Sequence, residues 1–176
     1  MTASWELRTA HADEYAAVRA LTEAAYGEYA AAMGEHWEDY RQGMLARLDG
    51  AVAERIVAVR DGTPIGSVLL YPGGSSAPAP DGNILDFAAP EVGLLAVPPE
   101  WRGQGIARAL MAECARRARA AGSDVLALHT MEMMHGALAL YGTMGFGRDP
   151  EHDFSPAPGV LVRAYRLALA TVPSPR

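Results

Sequence analysis

Near the middle of the chain, the stretch Arg102-Gly103-Gln104-Gly105-Ile106-Ala107-Arg108 combines residue types that can hold an anion. Two glycines and an arginine stand where apolar positions at helical spacing begin: Ile106, Leu110, Cys114 and Ala118. A turn that opens a helix leaves the first N–H groups without partners and carries the partial positive charge of the helix end. With no Cβ at the glycines, the backbone can approach a phosphate closely, and the Arg102 guanidinium adds a charged donor. A phosphorylated cofactor is therefore the first expectation. A triphosphate-binding loop needs Gly-Lys-Ser/Thr, and here Ile106 follows Gly105, which excludes it. A dinucleotide fingerprint needs a third small residue where Arg108 stands and an acidic residue ending the next strand, whereas Asp124 precedes its strand.

Other residues could move protons. Tyr141 reads either as a core aromatic of a short amphipathic helix or as a phenol that is protonated at neutral pH and can donate. Glu91, at the start of an apolar strand, is a solvated strand-end residue or a general base, and a regular strand would put it on the same side as Gly93 and Leu95. His129 is a second candidate base, with a satisfied structural histidine as the plain reading. His36 and the run Glu151-His152-Asp153 are weaker, and no group has metal-ligand spacing within one element. Cys114, the single cysteine, excludes an internal disulfide and reads as a small core residue.

The elements that must position these groups read as follows. Trp5–Arg8 is a short strand and residues 12–26 a helix closed by Gly27. A second helix runs from about Glu35 to Leu48. Between them, YGEYAAAMGEH is a packed connection or, through Tyr26 and Tyr29, a wall of a substrate pocket. Residues 55–60 and 65–71 form a hairpin across Asp61-Gly62-Thr63-Pro64, and a long exposed loop fills 72–90. After the central strand, turn and helix come an apolar strand over 124–129 and a helix over 132–144 with Leu138, Tyr141 and Met134 as one face. An acidic, turn-rich segment and a last strand over 160–169 complete the chain. Strand–helix–strand passages beside antiparallel hairpins describe a mixed α/β sheet covered by helices.

At 176 residues, the chain fits one domain over 1–176, with a flexible tail from 170. A net charge of -6 with no basic run argues against nucleic acid or an anionic membrane surface as the partner and mildly favours amine substrates. Every basic side chain other than histidine is arginine. There is no secretory leader pattern and no apolar run near twenty residues, so a cytoplasmic location is expected.

EVGLLAVPPEWRGQGIARAL resembles the central motif of the GCN5-related N-acetyltransferase (GNAT) family, whose Gln/Arg-x-x-Gly-x-Gly/Ala pattern matches Arg102, Gly105 and Ala107. HGALALYGTMGF resembles the family's later helix, with Tyr141 ahead of Gly145-Phe146, so residues 91–146 carry the specific motifs. The resemblance implies a GNAT-like acyl-CoA N-acyltransferase fold, a mostly antiparallel twisted sheet flanked by helices. It also implies acetyl-CoA as cofactor, with its pyrophosphate on the backbone from Arg102 through Gly103, Gln104, Gly105, Ile106 and Ala107 to Arg108. Leu95, Ala96 and Val97 would pair with the pantetheine arm, with the Leu95 N–H at the thioester oxygen, Tyr141 as general acid and Glu91 or His129 as base. Met134 stands where the family often has an asparagine, which removes a hydrogen bond to that arm unless His135 or a water supplies it. The implied activity is direct acetyl transfer to a small-molecule amine, with a homodimer allowed. The rivals are a peptide or protein amine acceptor and a non-catalytic acyl-CoA sensor.

Overall fold

The computed structural model describes residues 4–78 and 84–170. Strands β1 (Glu6–Thr9), β2 (Glu54–Arg60), β3 (Thr63–Tyr71), β6 (Glu91–Ala96), β7 (Val125–Thr130), β10 (Val160–Ala168) and β8 (Gly147–Arg148) lie side by side in that order. Strand β9 (Phe154–Ala157) also pairs with β10. Every pairing is antiparallel except β6 with β7. The expectation of a mixed, mostly antiparallel sheet flanked by helices thus holds.

Two apolar layers fix the helices. Val18 and Leu21 of α1 (Tyr15–Tyr26) and Met44 and Leu48 of α3 (Trp37–Asp49) pack with Val57 and Leu69 on one face of the sheet. On the other, Leu110, Met111 and Cys114 of α4 (Ile106–Ala120) pack with Ile56, Val68 and Leu126. Because both faces of β2 and β3 are covered, these strands are almost continuously apolar. Their hairpin is tight. Arg60 pairs with Thr63 across Asp61 and Gly62, both at positive φ (50° and 75°), the backbone that matches strand twist in a two-residue loop.

Several segments are more ordered than their composition suggested. Residues 72–90, expected as one long loop, contain the hairpin strands β4 (Ser75–Pro78) and β5 (Ile84–Phe87). The connection at 27–36 is helical throughout, with α2 (Ala30–Met33) between two 3₁₀ turns. Gly27, with φ −56°, continues the first helix instead of closing it. The acidic segment holds β8, a 3₁₀ turn over Pro150–His152, and β9. Helix α5 is shorter than expected, at His135–Met144, and of its residues only Tyr141 is buried. The tail expected from residue 170 lies, from 171 onward, outside the described residues.

Strand β6 is not regular. Ser67 pairs with Ala96 and Leu69 with Gly93, so Leu94 and Leu95 together oppose Val68. Leu94 takes φ 49°, a conformation that a leucine adopts only under constraint. This bulge shifts the alternation by one residue. Leu94 and Ala96 join the α1/α3 layer and Leu95 packs against the α4 layer, so Leu95 does not share the side of Glu91 and Gly93 expected of a regular strand.

Helix α4 lies close against β3. A Cβ built on Gly66 would stand 2.8 Å from Ile106 Cγ2 and 3.3 Å from both Leu110 Cδ1 and Val97 Cγ2. Gly66→Ala should therefore destabilise the fold by about 1–3 kcal/mol through overpacking. Urea unfolding checks this through a lower midpoint at unchanged m-value.

Candidate active site

The parallel contact between β6 and β7 spans two residue pairs, Glu91–Ala127 and Val92–Leu128. Beyond them the strands part, and the gap opens into a cleft of about 1400 Å³. Its floor is Gly93 to Val97 and His129 to Met134; its sides come from Tyr26, Tyr29 and Tyr40, Phe87 of β5, Tyr141, and Phe154. Strand β7, expected as uniformly apolar, in fact alternates. Leu126, Leu128 and Thr130 are buried, and this puts the intervening His129 on the cleft side.

Just past Val97 and Arg102, at the cleft edge, lies the glycine turn. Gly103 and Gly105 have φ of 75° and 80°, and Cβ atoms on either would point into open space. Gly105 caps α4 with no side-chain cap, and the first helical bond is Ala109 N–H to Gly105 O at 3.0 Å. The N–H groups from Gly103 to Arg108 accordingly find no backbone acceptor among the described residues. Ile106 anchors this turn, fully buried, while Gln104 and Arg108 are exposed and Arg108 donates to Thr143 Oγ1. Arg102 differs from expectation. Its guanidinium is bidentate on Glu28 at 3.0 Å and its Nε–H donates to Val97 O at 2.9 Å, so it straps the 27–29 turn to the end of β6. The ion pair holds the Glu28 carboxyl below the usual range. The free donors at the turn are the main-chain N–H groups together with the exposed side chains of Gln104 and Arg108.

Across the cleft, the two candidate bases meet. His129 Nδ1 lies 2.8 Å from Glu91 Oε1, and Nε2 lies 3.0 Å from the carbonyl oxygen of His152. Both ring nitrogens face acceptors, an arrangement that favours the doubly protonated imidazolium. Burial works against that charge, but the Glu91 carboxylate and the His152 carbonyl outweigh it, and His129 titrates above the ordinary histidine value. Phe154 lies edge-on to the ring at 5.3 Å.

Tyr141 is buried beside Phe146, and burial pushes its phenol well above the ordinary value, so it keeps its proton through the physiological range. Met134 is buried too. Its sulfur accepts from Thr130 Oγ1 at 3.5 Å, while the neighbouring His135 is exposed on the cleft. Tyr26 and Tyr29 form part of an aromatic row with Tyr40 and Trp37, with centroids about 6 Å apart. Cys114 lies in the core under α4, and burial lifts its thiol to about 12. Among the described residues, no three His, Cys, Asp or Glu side chains could share a metal ion. No described helix is long and apolar enough to cross a membrane.

Residues 15–146 match the sequence profile of the Acetyltransferase (GNAT) family. The chain belongs to the GNAT acetyltransferases. No curated protein matches its sequence significantly. A GNAT-family structure from Desulfovibrio desulfuricans superposes with TM-score 0.68 at 19% identity, over 95% of this chain and 100% of the other. A GNAT acetyltransferase from Brucella melitensis, solved with acetyl-CoA, gives 0.61 at 21% identity over 96% and 90% of the two chains. The ribosomal-protein-S18-alanine N-acetyltransferase of Escherichia coli gives 0.64 at 13% over 97% of each. At these identities the superpositions speak for the GNAT fold.

The GNAT motif led to β6, the turn and α5, but not to Arg47, whose half-buried side chain reaches the cleft from α3. The one available signal was Gly93, an isolated glycine in an apolar strand, which marks a close approach of something else. Glu91→Gln should lower the titration point of His129. Native stability gained from this pair is full below the unfolded imidazole value and is lost as pH rises through the raised folded one. NMR titration of the imidazole checks the shift, and an unchanged value in the variant would discount the carboxylate as its cause.

Proposed function

We propose that the protein transfers an acetyl group from acetyl-CoA to a primary amine of a small molecule, by direct attack with both substrates bound. The observation that carries this reading is the run of N–H groups from Gly103 to Arg108 that find no backbone acceptor among the described residues, opening beside a cleft between parted strands. Such a run, at the N-terminus of a 15-residue helix, suits a pyrophosphate. Acetyl-CoA, when bound, supplies an acetyl group activated as a thioester.

The chain's own groups divide the remaining work. The backbone of Leu95, Ala96 and Val97 is unpaired by β7 beyond Val92, and apart from Val97 O, which Arg102 occupies, its β7-facing groups are open to an extended amide-bearing arm, with the Leu95 N–H assigned to the acyl carbonyl oxygen. With Met134 engaged by Thr130, the polar supplement to that arm falls to main-chain groups or water. Glu91 receives the amine. An alkylammonium must lose a proton before it can attack, and Glu91, oriented by its hydrogen bond with His129, offers the carboxylate that binds the ammonium and accepts that proton. Tyr141 acts on the leaving sulfur. A thiol is a stronger acid than a phenol, more so than one raised by burial, so Tyr141 donates a hydrogen bond to the departing sulfur without surrendering its own proton, and the second proton, shed by the nitrogen after attack, goes to that sulfur, which leaves as the thiol.

Direct transfer fits two further features. A cleft of about 1400 Å³ exceeds the usual span of a single small-ligand pocket, roughly 300–1,000 Å³, and leaves room for donor arm and acceptor together. Cys114, buried with its thiol pushed up, is no acyl carrier.

Tyr141→Phe should lower turnover by about 10²-fold at nearly unchanged acetyl-CoA affinity, read as thiol release against a cofactor titration. Gly105→Glu should abolish cofactor binding by placing bulk and negative charge at the phosphate, with unchanged far-UV circular dichroism showing an intact fold. Normal affinity in a folded Gly105→Glu variant would refute the pyrophosphate assignment. Cofactor binding with no thiol release across amine and peptide panels would instead mark an acyl-CoA sensor, and release with peptides alone a peptide acetyltransferase.

A further inference from the structure

We propose that Arg47 is the anchor for a carboxylate on the acceptor, so that the acceptor is a small amino-carboxylate bound by both its charges. This rests on the amine-acceptor reading above and deepens it.

Arg47 leaves the last turn of α3 and lies over Gly93. Any Cβ at position 93 would collide with its terminal nitrogen, so the glycine makes the room that the guanidinium fills. One of the five guanidinium N–H donors is used, Nε–H to Tyr71 Oη at 3.3 Å, and the Tyr71 ring lies beneath the cation at 5.6 Å. Both terminal nitrogens lack an acceptor among the described residues. Other arginines of this chain are met by carboxylates: Arg8 by Glu14, Arg41 by Glu23, Arg102 by Glu28. A half-buried guanidinium with its fork unspent and open to the cleft is placed to take up an anion there.

What completes it follows from its neighbours. Tyr26 and Tyr40 lie near enough for their phenols to feel the Arg47 charge; burial keeps both neutral, and neither hydroxyl has an acceptor among the described residues. They are further donors lining the same cleft. Glu91 stands two residues before Gly93 on the same face of β6, about 7 Å along the strand. A dianionic phosphate at Arg47 would be repelled by that carboxylate, whereas a single planar carboxylate matches the fork in charge and shape. Cationic anchor and amine-binding carboxylate side by side suit a zwitterion, its carboxylate on Arg47 and its amine on Glu91.

The test compares the standard L-amino acids with their α-carboxamides, which keep the amine and lose the charge. Binding is followed by NMR titration of the wild type, Arg47→Met and Arg47→Lys, with and without CoA, and thiol release is measured with acetyl-CoA. In the wild type, at least one acid should bind about 100-fold more tightly than its amide. That preference should vanish in Arg47→Met and survive in part in Arg47→Lys, at unchanged CoA affinity. Equal binding of acids and amides across the set, or a preference that persists in Arg47→Met, overturns the assignment. If Arg47→Met does not fold, Arg47→Lys carries the test, and a fully retained preference there overturns it. Carboxylate preference without thiol release would sink the acetyltransferase reading and leave Arg47 in place, whereas thiol release without preference does the reverse.

Discussion

Two residue pairs of parallel sheet, Glu91–Ala127 and Val92–Leu128, join a four-stranded meander to the strands that follow α4. Where this contact ends, the backbone of both strands loses its partner. Peptide groups left unpaired and shielded from water cost about 1–3 kcal/mol each, so the gap must hold water or something that imitates a strand. The helices cannot close it, because α1 and α3 on one face and α4 on the other bury their apolar sides against the sheet and keep its strands where they are. The opening is a product of the packing, and a ligand with an amide-bearing arm is its natural complement.

The bulge at Leu94 adds a second constraint. By turning two consecutive residues toward the α1/α3 layer it reverses the faces of everything after it, so Leu95 anchors in the α4 layer while Gly93 stays open to Arg47. A leucine in left-handed backbone is held there by the packing around it, and this fixes the course of β6 past the bulge. Within this frame the charges are arranged at short range. The Glu91 carboxylate lies between the His129 ring, whose charged form it favours, and a guanidinium two residues along the strand, and each depends on limited access of water for its strength.

Much of this was legible in the residues. Alternating and helical periods located β2, β3, β6, α1, α3 and α4 to within a few positions, because each buries a full face and its apolar pattern is strong. The turn was legible because two positive-φ glycines leave a mark in sequence. Glu91, His129 and Tyr141 were each singled out, but not the 2.8 Å contact that makes the first two a pair, since it crosses 38 residues of chain. The β4–β5 hairpin was hidden by proline, glycine and serine, which it tolerates as a ribbon of two short strands outside the main sheet. Arg102 was expected on the anion; its partner Glu28 lies 74 positions away, and a long-range ion pair leaves no local pattern. Arg47 was invisible for a similar reason, as one polar residue among several on α3.

The engagement of Arg102 has a consequence for how this site can change over time. With that guanidinium committed to Glu28 and Val97, an anion in the turn is met chiefly by amide hydrogen, with Gln104 and Arg108 at the rim, and amide hydrogen is the one donor that nearly every substitution preserves. Most exchanges of side chain along the turn would leave the donors where they are. Only a residue that refuses the left-handed backbone at Gly103 or Gly105, or a proline that deletes an N–H, erases them. The turn is thus specified as a conformation more than as a set of side chains, whereas the charges and tyrosines across the cleft are specified residue by residue.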